Sequence, residues 1–330
     1  MKQSRIIAIF SGALLMFVIN ASFIAQNIPP NPSSTLAPPV RLSLIVTDKS
    51  DHSLDEIRKE DIKVFEGNVE QTILLLERDQ RPVDLGIAVD SSGSFKELIG
   101  SALSAVQIII HRKRPSDEVF IERFTSGDKI ETVQDFTSDE SLLLAGLKLM
   151  RVEGGQSAVI DALYLAVDHT AKHEPKEHRK AVIFITDGED RASYYKREDL
   201  IKFLHTTNVQ VFVIGIVTLL DSQAGLVRSS PREVAEGFLR SVAEESGGRL
   251  FLPKNVGELS RALDEIDHDL KSQFVIGYQS TNDGGKTGFR KVDVKAIEAP
   301  GREKLHLITA RGYYLKPPSS DSKSKDKKPQ

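Results

Sequence analysis

Val83–Asp84–Leu85–Gly86–Ile87–Ala88–Val89–Asp90–Ser91–Ser92–Gly93–Ser94–Phe95 is an apolar run that breaks into a short polar turn. The run has the length, and the lack of alternation, expected of a strand buried on both faces of a parallel sheet. Beyond the turn, Phe95, Leu98, Ile99, Ala102, Leu103, Val106, Ile109 and Ile110 recur at helical spacing. A buried strand feeding a helix through a tight turn is the opening of a βαβ unit.

Downstream the same rhythm continues. Strands are expected at 118–124, 180–186, 210–216 and 249–252, and helices at 138–150, 158–169, 197–205, 231–245 and 256–270. Thr137 with Glu140, Ser230 with Pro231 and Glu233, and Asn255 with Glu258 pair a capping side chain with a Glu three residues later. The alternation predicts an α/β fold, a doubly wound and mainly parallel sheet covered on both faces. Either side of it the rhythm changes to short strands: 41–48, 61–66 and 71–77 before, and 273–278, 291–297 and 305–314 after. Gly67–Asn68 and Asn282–Asp283–Gly284–Gly285 are the turn signals there. The near-equal number of strands in the two flanks predicts that they meet in one smaller β-sandwich beneath the α/β domain.

At the amino terminus, Lys2 and Arg5 precede an apolar run at 6–19 that is shorter than a membrane-spanning helix requires. The expected organisation is a signal peptide or signal anchor at 1–26 and a linker rich in Pro, Asn and Ser at 27–39. An amino-terminal β segment at 40–82, the α/β domain at 83–271, a carboxyl-terminal β segment at 272–316 and a disordered tail at 317–330 complete it. This predicts export to the periplasm, the cell envelope or the medium, with membrane attachment only through an uncleaved amino-terminal segment. The 44 Lys and Arg against 47 Asp and Glu leave no basic field of the kind that draws nucleic acid. The absence of cysteine excludes disulfides, thiolate metal sites and a cysteine nucleophile.

In doubly wound sheets ligands bind outside the carboxyl ends of the strands. Three segments should reach that edge: Asp90–Ser91–Ser92–Gly93–Ser94, Gly154–Gly155–Gln156–Ser157, and Asp187–Gly188–Glu189–Asp190. They bring two carboxylates, Asp90 and Asp187, and three hydroxyls, Ser92, Ser94 and Ser157. Hard divalent cations prefer oxygen ligands, and Mg²⁺ keeps part of its water. Two carboxylates roughly neutralise such an ion, and hydroxyls add ligands without adding charge. Asp-x-Ser-x-Ser by itself is common, and Ser94 with Glu97 also reads as a capping box, with Asp90 capping backbone amides.

These segments resemble the von Willebrand factor A family, whose signature stretches correspond to 83–95, 154–163 and 181–190. The flanks, through Val46–Thr47–Asp48, Glu60–Asp61–Ile62–Lys63–Val64, Phe289–Arg290–Lys291–Val292 and Arg311–Gly312–Tyr313–Tyr314, resemble a bacterial exported subfamily with β segments around this domain. The resemblance implies a metal-ion-dependent adhesion site made of Asp90, Ser92, Ser94, Ser157 and Asp187, with Ser157 standing where the family usually has Thr. It implies Mg²⁺, with Mn²⁺ or Ca²⁺ as alternatives, and a protein partner whose acidic side chain completes the metal shell. Binding rather than catalysis is the function expected; a metal-independent scaffold of an envelope complex is the alternative, and metal-assisted hydrolysis a third.

Other groups carry weaker signals. His169 and His173 share a helix face, with His178 close behind, a spacing that can hold zinc but also suits a helix carboxyl terminus. Ser92 lacks the Gly-x-Ser-x-Gly elbow of a hydrolase nucleophile. Asp161 and Asp190 read either as supports of the metal site or as caps, and Tyr194 and Tyr195 either edge the site or pack.

Overall fold

The computed structural model describes residues 39–220, 229–281, 288–297 and 304–314. The expected leader, most of the linker, the turn at 282–285 and the tail lie outside them. The chain opens with strands β1 (Val40–Thr47), β2 (Ile62–Glu66), β3 (Val69–Gln71) and β4 (Ile73–Arg78). It continues through β5 (Val83–Asp90), α1 (Ile99–Arg112), β6 (Glu118–Phe124), β7 (Ile130–Thr137), α2 (Glu140–Leu147), α3 (Val159–Lys172) and β8 (Arg179–Thr186). Then follow α4 (Arg197–Leu204), β9 (Val209–Gly215), α5 (Pro231–Ser246), β10 (Leu250–Phe251) and α6 (Val256–Ser272). It closes with β11 (Phe274–Tyr278), β12 (Phe289–Ala296), β13 (His306–Ile308) and β14 (Gly312–Tyr314).

The central sheet has the order β10–β9–β8–β5–β6–β7, parallel throughout except for β7, which returns antiparallel to β6. Alternate residues of the buried strands serve opposite layers, as a two-sided sheet demands. Ile87, Val89, Ile121 and Ile183 pack against α1, α2 and α6, whereas Ala88, Phe120, Val182 and Phe184 pack against α3, α4 and α5. From β5 the chain moves through α1 to β6 on one side, then crosses by α3 to β8 on the other. The order therefore reverses at β5, and the crevice at its carboxyl end is where such sheets place a ligand.

The flanking strands do meet. One four-stranded sheet has the order β13–β1–β11–β4 and the other β14–β12–β2–β3, so each mixes strands from both ends of the chain. Leu42, Leu44, Phe274, Ile276 and Tyr278 of the first sheet share one core with Ile62, Val64, Val292 and Val294 of the second. Gly67 and Asn68, both with positive φ (55° and 72°), close the β2–β3 hairpin, the conformation Gly and Asn tolerate best. Arg249, just before β10, seats this sandwich on the α/β domain. Its guanidinium donates to Asp269 on α6 (2.8 Å), to Ser53 Oγ (3.1 Å) and to the Asp51 carbonyl (2.6 Å).

Several local expectations are corrected. The segment 305–314 is two short strands, because it leaves one sheet of the sandwich and joins the other. The strand expected at 71–77 begins after β3 has ended, so two strands replace one. The cap of α2 is Asp139, which accepts from the backbone N–H of Ser141 and Leu142; Thr137 ends β7 and instead accepts from Asp139 N. Ser230 and Asn255 cap α5 and α6 as expected. Helix α1 starts at Ile99 with no side-chain cap, so Ser94 and Glu97 make no capping box there.

Candidate metal centre

β5 and β8 run side by side in parallel, and their last residues, Asp90 and Thr186, with Asp187 next in sequence, deliver their side chains to one place. Asp90 is fully buried. Its Oδ1 accepts from Ser92 N (2.9 Å) and its Oδ2 from Thr186 Oγ1 (2.9 Å). Ser94 Oγ donates to Asp187 Oδ2 (3.0 Å) and lies 3.1 Å from Ser92 Oγ. The other Asp187 oxygen accepts from Glu189 N at 3.0 Å. Four of the five expected residues are thus joined by short polar contacts across the β5 and β8 loops. The alternation Asp90, Ser92, Ser94 works because a 3₁₀ turn at Gly93–Phe95 folds the segment back, anchored by fully buried Phe95.

Ser157 is buried at the same edge but is not hydrogen-bonded to the other four. Its carbonyl accepts from Arg191 N (2.9 Å) and Ala192 N (3.1 Å), and the following amide, Ala158 N, donates to Thr125 O at 3.1 Å. The loop that carries it is pinned from below. Glu153 N donates to Ser91 O (2.9 Å), and the Glu153 carboxylate meets Arg151 (2.7 Å) and buried Arg123 (3.1 Å). Arg151, Arg123 and Lys129 together hold the Glu153 carboxyl down at about 2.

Asp90 and Asp187 form no salt bridge with any Lys, Arg or His among the described residues. Burial, and then the charge of Asp187, push Asp90 up to about 6; burial also raises Asp187. Two buried carboxylates without a cation are costly, since an unpaired charge in the interior loses its hydration without return. With hydroxyls between them, they form the oxygen-only donor set that a hard divalent cation matches. On this chemistry the residues fit such an ion.

Thr186 was not singled out from the sequence. A hydroxyl at the last position of an otherwise apolar strand, directly before Asp187, is the signal that would have found it. Asp161 and Asp190 are loop and helix anchors. Asp161 accepts from Tyr194 N (2.8 Å) and Tyr195 N (2.9 Å), and Asp190 accepts from Ile160 N (3.2 Å) in the first turn of α3. Tyr195 stacks on Tyr164 with centroids 4.1 Å apart, whereas Tyr194 is 87% exposed. The three histidines go to three different carboxylates: His169 to Asp135 (2.8 Å), His173 to Glu118 (2.7 Å) and His178 to Asp84 (2.7 Å). Ligand atoms of Asp84, Glu118 and His173 lie within 4.8 Å of one another. The Lys180 ammonium already pairs with Asp84, so that cluster is charge-compensated from within.

Residues 85–189 match the family described as von Willebrand factor type A domain. Among solved structures, the chain is similar to the conserved hypothetical protein BatB from Bacteroides thetaiotaomicron, with 20% identity, a TM-score of 0.45, and coverage of 58% of this chain and 100% of that one. It is also similar to an aerotolerance-related membrane protein from Bacteroides fragilis, with 20% identity, a TM-score of 0.43 and coverage of 56% and 98%. A third is proximal thread matrix protein 1 from the mussel byssus, described with a zinc-occupied MIDAS motif, at 17% identity, a TM-score of 0.46 and coverage of 58% and 49%. No curated protein sequence matches the chain.

Proposed function

We propose that this chain, whose residues 85–189 belong to the von Willebrand factor type A family, binds another protein through a divalent cation held at the carboxyl edge of its central sheet. The observation that carries the reading is the buried pair Asp90 and Asp187, unneutralised by any basic side chain among the described residues and linked by the hydroxyls of Ser92 and Ser94. Asp90, Ser92, Ser94, Ser157 and Asp187 would hold the ion, with Mg²⁺ the first choice and Mn²⁺ or Ca²⁺ matched to the same oxygens. When bound, the cation supplies a Lewis-acidic point that a partner's Asp or Glu completes. The chain's own residues do the positioning. Thr186 fixes one oxygen of Asp90, Ser92 N fixes the other, and Glu189 N orients Asp187. Ser94, exposed at the rim, faces the side from which a partner arrives. The basic residues Lys2 and Arg5 before an apolar run support export, which puts the partner in the cell envelope or outside the cell.

The test is calorimetric titration of Mg²⁺ and Mn²⁺ into the chain beside Asp90→Ala, with folding of both verified by circular dichroism. We expect binding in the range of roughly micromolar to millimolar, typical of oxygen-ligand sites, and its loss in the variant. Equal binding by the variant would remove Asp90 from the site. Partner capture that persists unchanged in EDTA would replace this reading with the metal-independent scaffold.

A further inference from the structure

The second concentration of charge in the molecule is cationic, and it lies at the opposite edge of the central sheet. There the amino-terminal ends of β8 and β9 face strands β1 and β11 of the sandwich across a cleft of about 210 Å³. Arg41, Arg81, Lys176, His178, Arg179 and Lys180 line it, and no Asp or Glu does. The ion-pair partners of these residues are only three carboxylates: Asp79 for Arg81 and Arg179, Asp84 for His178 and Lys180, and Glu174 for Lys176. Arg41, exposed on β1, has no ion-pair partner among the described residues. Positive charge is therefore in excess around this cleft.

Arg179 adds a second, independent observation. Its side chain is 3% exposed, and its guanidinium is only partly satisfied. Nε donates to Arg81 O (3.2 Å) and Nη2 to Leu270 O, but Nη1 is buried with no hydrogen-bond partner. A buried cationic donor left unmade pays its full desolvation, and native structures rarely leave one so. A guanidinium presents parallel N–H groups that match two oxygens of one oxyanion, and an ammonium adds a point charge beside it.

We propose that this cleft is an oxyanion site that takes a phosphate-type dianion between the α/β domain and the sandwich. Arg179 and Arg41 are the residues with capacity to spare: the first offers the unmade Nη1 donor, the second an unpaired charge from the other wall. Arg81 and Lys180, held by Asp79 and Asp84, set the field rather than the contacts. The cleft has the volume of about seven water molecules at roughly 30 Å³ each, enough for one phosphate with some of its hydration. Because Arg41 belongs to the sandwich and Arg179 to the central sheet, an anion shared by the two ties the parts together. Occupancy then stabilises the fold by mass action. The site is independent of the metal centre, which lies at the other end of β5 and β8.

Two sources of the same chemistry are open, a free phosphate and a phospholipid headgroup, and the test separates them. Inorganic phosphate is titrated into the full chain in EDTA at pH 7.5, by calorimetry and by thermal melting, against sodium chloride at equal ionic strength. Arg41→Ala and Arg179→Lys are run in parallel. We expect phosphate, and not chloride, to bind and to raise the melting temperature, with affinity at least about tenfold weaker in each variant, as for loss of one charge-assisted contact. Co-sedimentation with phosphatidylglycerol vesicles, absent with phosphatidylcholine and lost in Arg41→Ala, assigns the headgroup as the source; binding of inorganic phosphate alone assigns the free ion. Arg41→Ala, an exposed substitution, keeps the test decisive if Arg179→Lys does not fold. Phosphate acting no more strongly than chloride, or binding both folded variants as tightly as the wild type, overturns the proposal and leaves Nη1 to ordered water.

Discussion

At the scale of single residues, burial of acid shapes this domain more than any other feature. Besides the Asp90–Asp187 pair there is Glu122 on β6, 3% exposed, with one carboxylate oxygen lacking any partner. Burial alone pushes its carboxyl from 4.5 up to about 8. A folded-state value above the unfolded one means the stabilisation is complete below about 4.5 and fades as pH rises through 8. We expect the melting temperature to fall between pH 5 and pH 8.5 and Glu122→Gln to flatten that fall. The variant should be more stable than the wild type at pH 8.5 by up to roughly 4 kcal/mol, from about 1.36 kcal/mol per unit. A variant that melts no higher than wild type at that pH would mean the carboxylate finds a water or a counter-ion. The contrast with Asp90 shows what a sequence reveals at this scale. Asp90 was legible because it sits in a spaced pattern at a strand end. Glu122 sits inside a strand, where only its sheet neighbours determine whether it meets solvent, and those come from elsewhere in the chain.

At the scale of elements, legibility followed local chemistry. Helices α5 and α6 begin where Ser230 and Asn255 announce them, because a capping box satisfies its orphan amides within four residues. The start of α2 was misread since Asp139, two residues beyond Thr137, competes for the same amides and accepts from two of them. Strand β7 was missed outright: its residues show no clean alternation, and it exists because the edge of β6 offers it a ladder. Contact between elements is less forgiving than their boundaries. β5 and α3 approach so closely at Gly86 that a Cβ there would lie 2.5 Å from the Phe120 ring and 2.9 Å from Thr170 Oγ1. Gly86→Ala should therefore destabilise the domain by about 1–3 kcal/mol, the range for overpacking a filled core. Denaturant unfolding gives the number, and an unchanged midpoint would show that the Phe120 ring yields without cost.

At the scale of the whole molecule, the sequence predicted a doubly wound domain set between two groups of strands, and the shared sandwich followed from their matching number. How the strands partition between its two sheets was not legible, because pairing joins residues more than two hundred positions apart, as in Val40 with Tyr278. The pairing of β4 with β11, Arg78 opposite Phe274, places the entry to the α/β domain beside its exit, about 4.8 Å away. Both outer ends of the described chain, Val40 and Tyr314, also lie in the sandwich. Tension applied between those ends is therefore carried across the β1–β11 ladder and does not load the inserted domain until that ladder parts. In a single-molecule pulling experiment the sandwich should yield first, and the domain then release roughly 650 Å of extended chain as a later, separate step. The reverse order would show that the load reaches the metal edge directly. If the sandwich gives way first, a partner held at Asp90 and Asp187 rides on a module that stays folded under strain, and the sandwich is its mechanical fuse.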